Sequence, residues 1–233
     1  MKNMMRISIS SICYARDLFP KSCFKGKPYG NMEIHQLQGA KKEDDGEILV
    51  THPDAFLLTQ WLEQGVFQAL ELEYLSTVTF AIYSSHPITG EEMLLETYEF
   101  KVSYRGEQES AKINDVSLVS KEAVKNHAAK FIRSLTEFSG TLDSLPDTCW
   151  ITLQLKYYDH TPSDYEPEYF TASNGSVSAA ADRLPLIINI GNLRTPCVDM
   201  KMKFAGLESL LFDDLCKVTP KASMRADTPK QPS

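Results

Sequence analysis

Between Cys149 and Phe170 the chain reads CWITLQLKYYDHTPSDYEPEYF, an alternating segment that runs without a break into a proline- and tyrosine-rich strap. Cys149, Ile151, Leu153, Leu155 and Tyr157 fall on one side of an extended chain, and Trp150, Thr152, Gln154, Lys156 and Tyr158 on the other. That is the period of two a half-buried strand requires, so one face must seal a core. From Asp159 onward, Pro162 and Pro167 can neither donate to a ladder nor continue a helix, and Asp164 adds a further break. Tyr165, Tyr169 and Phe170 carry too much apolar surface for an idle solvated loop. The strap has to pack on something. A strand feeding straight into it suits a sheet margin, where unpaired amides and carbonyls can accept an extended peptide. A strand paired internally is the competing reading, and alternation alone does not separate the two.

Elsewhere the pattern predicts a first helix with Met5, Ile9, Ile12 and Cys13 on one face, stopped by Pro20. A linker containing Gly and Pro follows, then a short strand over Met32 to Leu37 and a charged loop from Lys41 to Glu47. Thr51-His52-Pro53-Asp54 reads as a capping box opening a second helix, continued by Leu58, Leu62, Gly65, Val66 and Ala69 on one stripe. Thr77 to Tyr83 is β-branched and aromatic, and strict alternation resumes at Leu94, Tyr98, Phe100, Val102 and Tyr104. Val124, Ala128, Phe131, Leu135 and Phe138 recur at helical steps and end before Gly140, a residue suited to the left-handed conformation past a helix end. Leu186 to Ile190 and Val198 to Phe204 are two more candidate strands around a Gly191 to Pro196 turn. Helices and strands come in separated groups, which predicts an α+β fold with helices on one face of a mainly antiparallel sheet.

At 233 residues the chain has room for one sizeable domain with tails. A net charge of −7 and an isoelectric point near 5.3 argue against a core that holds nucleic acid by neutralising phosphates. The end is different: Lys217, Lys221, Arg225 and Lys230 against Asp227, among Pro, Ser and Thr, read as a disordered, locally basic tail over 217–233. No apolar run approaches the roughly 20 residues a bilayer span needs, and no secretory leader is visible, so the chain reads as neither exported nor membrane-embedded. The five cysteines, Cys13, Cys23, Cys149, Cys197 and Cys216, form no C-x-x-C pair, which points to a reducing compartment and no metal site.

A search for chemistry yields little. His35, His52, His86, His127 and His160 are isolated, with no partner at metal-ligand spacing, and His127 reads as a partly buried imidazole beside an apolar stripe. No nucleophile elbow, P-loop or dinucleotide fingerprint is present. His52-Pro53-Asp54 copies a co-chaperone tripeptide in the wrong setting, and Asn174-Gly175-Ser176 is better explained as a turn than as a glycosylation site. The expectation is no catalytic residue and no cofactor.

The run Tyr157, Tyr158, Asp159, Pro162, Asp164, Tyr165, Pro167 and Phe170 resembles the corresponding part of the HORMA domain, in the form found in its meiotic chromosome-axis branch. Two further blocks fit in family order: SISSICYARDLFP at 8–20 and WLEQGVFQAL at 61–70, with Tyr74-Leu75 after it. The resemblance implies a HORMA fold, about three helices on one face of the sheet, divided into a core over 1–158 and a safety belt over 159–216. It further implies an adaptor that captures closure-motif peptides of axis or recombination partners, supporting chromosome pairing, synapsis and recombination control in the nucleus, on the chromosome. A checkpoint or DNA-repair adaptor of the same family is the alternative. The implied peptide site is Trp150, Thr152, Gln154, Lys156 and Tyr158, closed by Asp159, Pro162, Asp164, Tyr165, Pro167, Tyr169 and Phe170 of the belt. Other copies of such domains are implied partners, and the basic tail as a closure motif of its own is a lesser alternative to a solvated tail. The family's AAA+ remodelling ATPase pulls on the N-terminal segment. Only Met1 to Met5 are expected to precede the first family helix, which leaves that partner in question.

Overall fold

Helix α1 (Lys2–Ala15) is buried almost all the way round: Met5, Ile9, Ile12 and Cys13 are fully enclosed, and Ser8, Ser10 and Ser11 are buried as well. The serines make this possible because they are small and bond locally. Ser8 Oγ donates to the Met4 carbonyl at 2.8 Å, and Ser10 Oγ accepts the Leu37 amide at 3.1 Å, which ties the helix to its neighbouring hairpin. The expected one-sided helix is therefore a central one, and Met1 to Met5 are not a lead before it, since it begins at Lys2.

The computed structural model describes residues 1–207 apart from 31, 43–45, 106–120, 174, 176 and 196. The predicted tail, the last part of the predicted belt and Cys216 lie outside the described residues. After α1 come the hairpin β1 (Phe24–Tyr29) and β2 (Met32–Leu37), then the small hairpin β3 (Ala40–Lys42) and β4 (Ile48–Val50). The expected Gly- and Pro-containing linker is thus partly strand β1, and the charged segment connects two short strands.

Helix α2 runs continuously through Pro53–Gln60, a π-helical turn at Trp61–Val66, and Phe67–Glu71. Its cap is His52, not Thr51: His52 Nδ1 accepts the Ala55 amide at 3.3 Å. The reason is Pro53, whose fixed φ and missing amide suit the first helical position and so put the cap on His52, directly before it.

Strands β5 (Leu75–Ser85), β6 (Glu92–Tyr104), β7 (Cys149–Tyr157), β8 (Leu186–Arg194) and β9 (Val198–Gly206) form one antiparallel sheet in the order β7-β5-β6-β9-β8. The predicted Gly191 to Pro196 turn is shorter than expected, because β8 continues through Arg194. Thr195 closes the turn through its hydroxyl, which accepts the Val198 amide at 3.0 Å. Helix α3 (Lys121–Ser139) lies over the same face as α1, with Ala128, Phe131, Ile132 and Leu135 buried. His127 is exposed, contrary to expectation, because the buried positions fall on its neighbours Ala128 and Phe131. Val78, Phe80, Ile82, Tyr98, Phe100, Met202 and Phe204 of the sheet complete the core with these helices. The short helix α4 (Val177–Ala181) sits against β5 and β6, where Ala181 and Leu184 bury themselves with Ala205 and Leu94 in a separate cluster.

Arg16, just past α1, joins this scaffold in one buried network. Its guanidinium grips Glu96 of β6 through Nε at 3.1 Å and Nη2 at 2.6 Å, and donates to the carbonyls of Leu142 and Asp143 at 3.2 and 2.6 Å. Tyr98 donates its hydroxyl to Glu96 at 2.9 Å. Burial pushes the Glu96 carboxyl above its ordinary range, and Arg16 and Tyr98 pull it back.

Candidate functional site

Strand β7 stands at one margin of the sheet, with β5 as its single ladder partner among the described residues. The pairing is regular from Thr77↔Lys156 to Ser84↔Cys149. The other side of β7 therefore carries backbone groups with no strand partner among the described residues. Along that side runs a cavity of about 710 Å³. Thr152, Leu153, Gln154, Leu155, Tyr157 and Tyr158 all line it, though they alternate between the two sheet faces. A cavity reached from both faces has to open beside the strand, where a further strand would lie, and the presence of Tyr83 of β5 and Glu92 of β6 in its lining shows that it also laps onto one face of the sheet.

The chain itself forms the groove's outer wall. Beyond Tyr157 it passes through Asp159, Thr161, Pro162, Tyr165, Pro167, Phe170 and Ala172, all of which line the cavity, before reaching α4. It then runs to the opposite margin, where β9 pairs with β6 and β8 pairs with β9.

The wall is fixed at several points. At mid-strand, Gln154 holds it in both senses: its Nε2 donates to the Gly175 carbonyl at 2.5 Å, and its Oε1 accepts the Val177 amide at 2.9 Å. Phe170 packs onto Gly65 in the π-helical turn of α2, so closely that a Cβ there would lie 2.2 Å from Phe170 Cε2. Here the glycine is needed for the approach of a ring, and the π turn presents it. Tyr165 stands edge-on to both Tyr74 and Tyr157, at 5.0 and 5.4 Å between centroids, and bonds Gln68 Oε1 at 3.2 Å. Burial, with Tyr165 and Glu166 nearby, pushes the Tyr157 hydroxyl up to about 12. Tyr169 takes a left-handed backbone with φ 70°, directly before Phe170 turns inward.

Of the five strand positions singled out from sequence, Thr152, Gln154 and Tyr158 line the cavity. Trp150 instead stacks on Tyr83, with centroids 6.2 Å apart and planes 11° apart. Lys156 points to solvent. Tyr158 is anchored, donating its hydroxyl to the Val102 carbonyl at 2.7 Å and its amide to the Tyr74 carbonyl at 2.8 Å. In the strap, Asp159, Pro162, Tyr165, Pro167 and Phe170 reach the cavity, while Asp164 and Tyr169 are exposed outside it. Sequence reasoning missed Tyr83, Glu92, Glu166 and Val177, and it assigned Leu153, Leu155 and Tyr157 to the core alone; they line the groove as well.

The lining holds three carboxylates, on Glu92, Asp159 and Glu166, together with tyrosines and aliphatic groups, and neither His nor Cys. Among the described residues no three His, Cys, Asp or Glu side chains gather as a metal site, and no helix is long and apolar enough to cross a membrane. What this groove can do is accept main-chain hydrogen bonds and side chains from an extended segment.

A helix-backed antiparallel sheet whose last hairpin returns to the far margin, leaving a strap over the near one, defines a class of strapped α+β domain. The chain belongs to the HORMA domain family, whose model matches residues 1–198. It is 29% identical over 221 residues to the Meiosis-specific protein ASY1 of Arabidopsis thaliana, covering 87% of this chain and 35% of that protein. Against HORMA domain-containing protein 1 of Danio rerio it is 30% identical over 208 residues, covering 86% of this chain and 54% of the relative. The chain thus spans about a third of the plant relative and about half of the fish one. The fold is shared with C. elegans HTP-2 bound to the HIM-3 closure motif, with a TM-score of 0.68, 18% identity and 88% of each chain covered. C. elegans HTP-1 bound to the same motif matches at a TM-score of 0.69 and 16% identity, again over 88% of each chain.

Proposed function

We propose that this chain is a meiotic chromosome-axis adaptor that captures closure-motif peptides of axis or recombination partners along β7. Segment 159–216 acts as the safety belt on a core of 1–158. Its role is binding rather than catalysis, and its place is the nucleus, on chromosomes, in support of homologue pairing, synapsis and recombination control. The observation that carries the reading is the groove of about 710 Å³ between an unpaired strand margin and the strap that crosses it. The meiosis-specific relative and the closure-motif complexes of HTP-1 and HTP-2 support it.

A guest under such a strap leaves only when the strap lifts. Every ~1.4 kcal/mol added to that opening slows escape about tenfold. The test is capture of peptides carrying closure motifs, measured by fluorescence anisotropy on the full chain. Gln154→Pro should abolish capture, because it removes a backbone amide from β7 and both bonds that hold the strap. Unchanged capture by a folded Gln154→Pro protein overturns the reading.

A further inference from the structure

The groove has a charge as well as a shape. Its ionisable lining consists of Glu92, Asp159 and Glu166, with no Lys, Arg or His among the lining residues. The carboxylates are not clustered. Glu92 lies on β6, with β5 between it and β7; it pairs with Ser85 beyond the Tyr83↔Trp150 rung and reaches the cavity over the sheet face beside Tyr83, level with the start of β7. Asp159 and Glu166 stand at the other end, where Glu166 accepts the Ala172 amide at 3.1 Å. Between the two ends the lining residues Thr152, Leu153, Gln154 and Leu155 are neutral, and Lys156 of the same strand is exposed outside the cavity. The strap reinforces the sign: from Asp159 to Ala181 it carries Asp159, Asp164, Glu166 and Glu168, and no Lys or Arg, before Asp182, which pairs with Lys203 at 3.0 Å, and Arg183.

An extended guest seated in this groove would desolvate part of the lining, and there a like charge is costly while an opposite one is favourable. From Trp150 to Tyr158 the strand advances roughly 25 Å at about 3.3 Å per residue, so a guest of about eight residues spans both acidic ends. We infer that the peptide held along β7 is cationic, with a Lys or Arg toward each end of an apolar or hydroxylated middle. This deepens the proposed function and rests on its assignment of the groove as a peptide site. The same chemistry means that phosphorylating the middle of the guest, or placing Asp or Glu at its ends, would oppose capture.

The probe is a displayed library of random ten-residue peptides selected on the full chain, followed by synthesis of the enriched sequences. The expected result is enrichment of peptides with Lys or Arg about eight residues apart. Replacing those two residues by Gln should weaken binding about tenfold at low salt, and the loss should shrink as ionic strength rises. On a chain carrying Glu92→Gln, Asp159→Asn and Glu166→Gln the same peptide change should cost almost nothing, since the partner charges are gone; the Gln at 166 still accepts an amide. Enriched peptides that are neutral or acidic, yet are lost on Gln154→Pro, overturn this inference and leave the groove as the peptide site. Enriched peptides that bind the Gln154→Pro chain equally well overturn both.

Discussion

The two margins of the main sheet are protected by opposite means. At the β8 margin the strand is bulged between Asn189 and Gly191, and Gly191 lets Phe131 of α3 come within 3.3 Å of where a Cβ would be. Cationic side chains flank it, with Lys130 and Arg194 on one side and Lys101, Lys201 and Lys203 on the other. Bulges, glycine and lysine are devices that stop a sheet from growing by another strand. At the β7 margin the regular stretch of the ladder has no bulge, no glycine and a single lysine, Lys156, and among the described residues it is covered by a strap that leaves a groove beneath it. The β8 margin thus carries more obstacles to strand addition than the β7 margin, as the proposed function requires. The charges sharpen the distinction, because the cationic guest inferred for the acidic groove would be repelled at β8.

The comparison can be broken where the strap is held. Gly65→Ala should have the largest effect: the new Cβ forces Phe170 off α2 at a cost of about 2 kcal/mol, so a bound peptide should leave roughly thirty-fold faster. The helix itself should be no less stable, since Ala favours helices over Gly by about 1 kcal/mol. Stopped-flow release of a labelled peptide checks this, and an unchanged rate would show that Phe170 is no part of the latch. Gln154→Ala removes the two bonds to Gly175 and Val177. Because the site is only half-buried, a net loss of about 1 kcal/mol and about fivefold faster release are expected in the same assay. Lys201→Ala, at the β8 margin, should alter capture less than twofold, as exposed charges usually change stability by under about 0.5 kcal/mol. A large fall in affinity there would mean that the two margins are not functionally distinct.

Much of the β7 margin was legible in sequence because its signals are local. The alternation of Cys149 to Tyr158 and the prolines of the strap are read within a few residues, and the three long helices follow from apolar spacing. What escaped depends on contacts between distant segments. Gly65 sat on the helical stripe as one more small residue, and nothing near it announces the ring of Phe170. Glu92 looks like an ordinary strand-end carboxylate until the β5–β6 register carries it to the mouth of the groove. Tyr158 fits the outward face by period, but its hydroxyl finds the Val102 carbonyl and the side chain is used for anchoring. Thr51 lost the cap of α2 to His52 because Pro53 fixed the helix start, a rule that local reading could have applied.

The hairpin of β8 and β9 docks on β6, two strands away from β7. On the proposed function, the strap is therefore secured at a second place, far from the groove, besides the Gln154 and Phe170 contacts beside it. An agent that prises β9 from β6 could discharge the cargo without ever meeting it, and a substitution in that ladder would shorten the lifetime of every cargo alike while leaving the choice among them untouched.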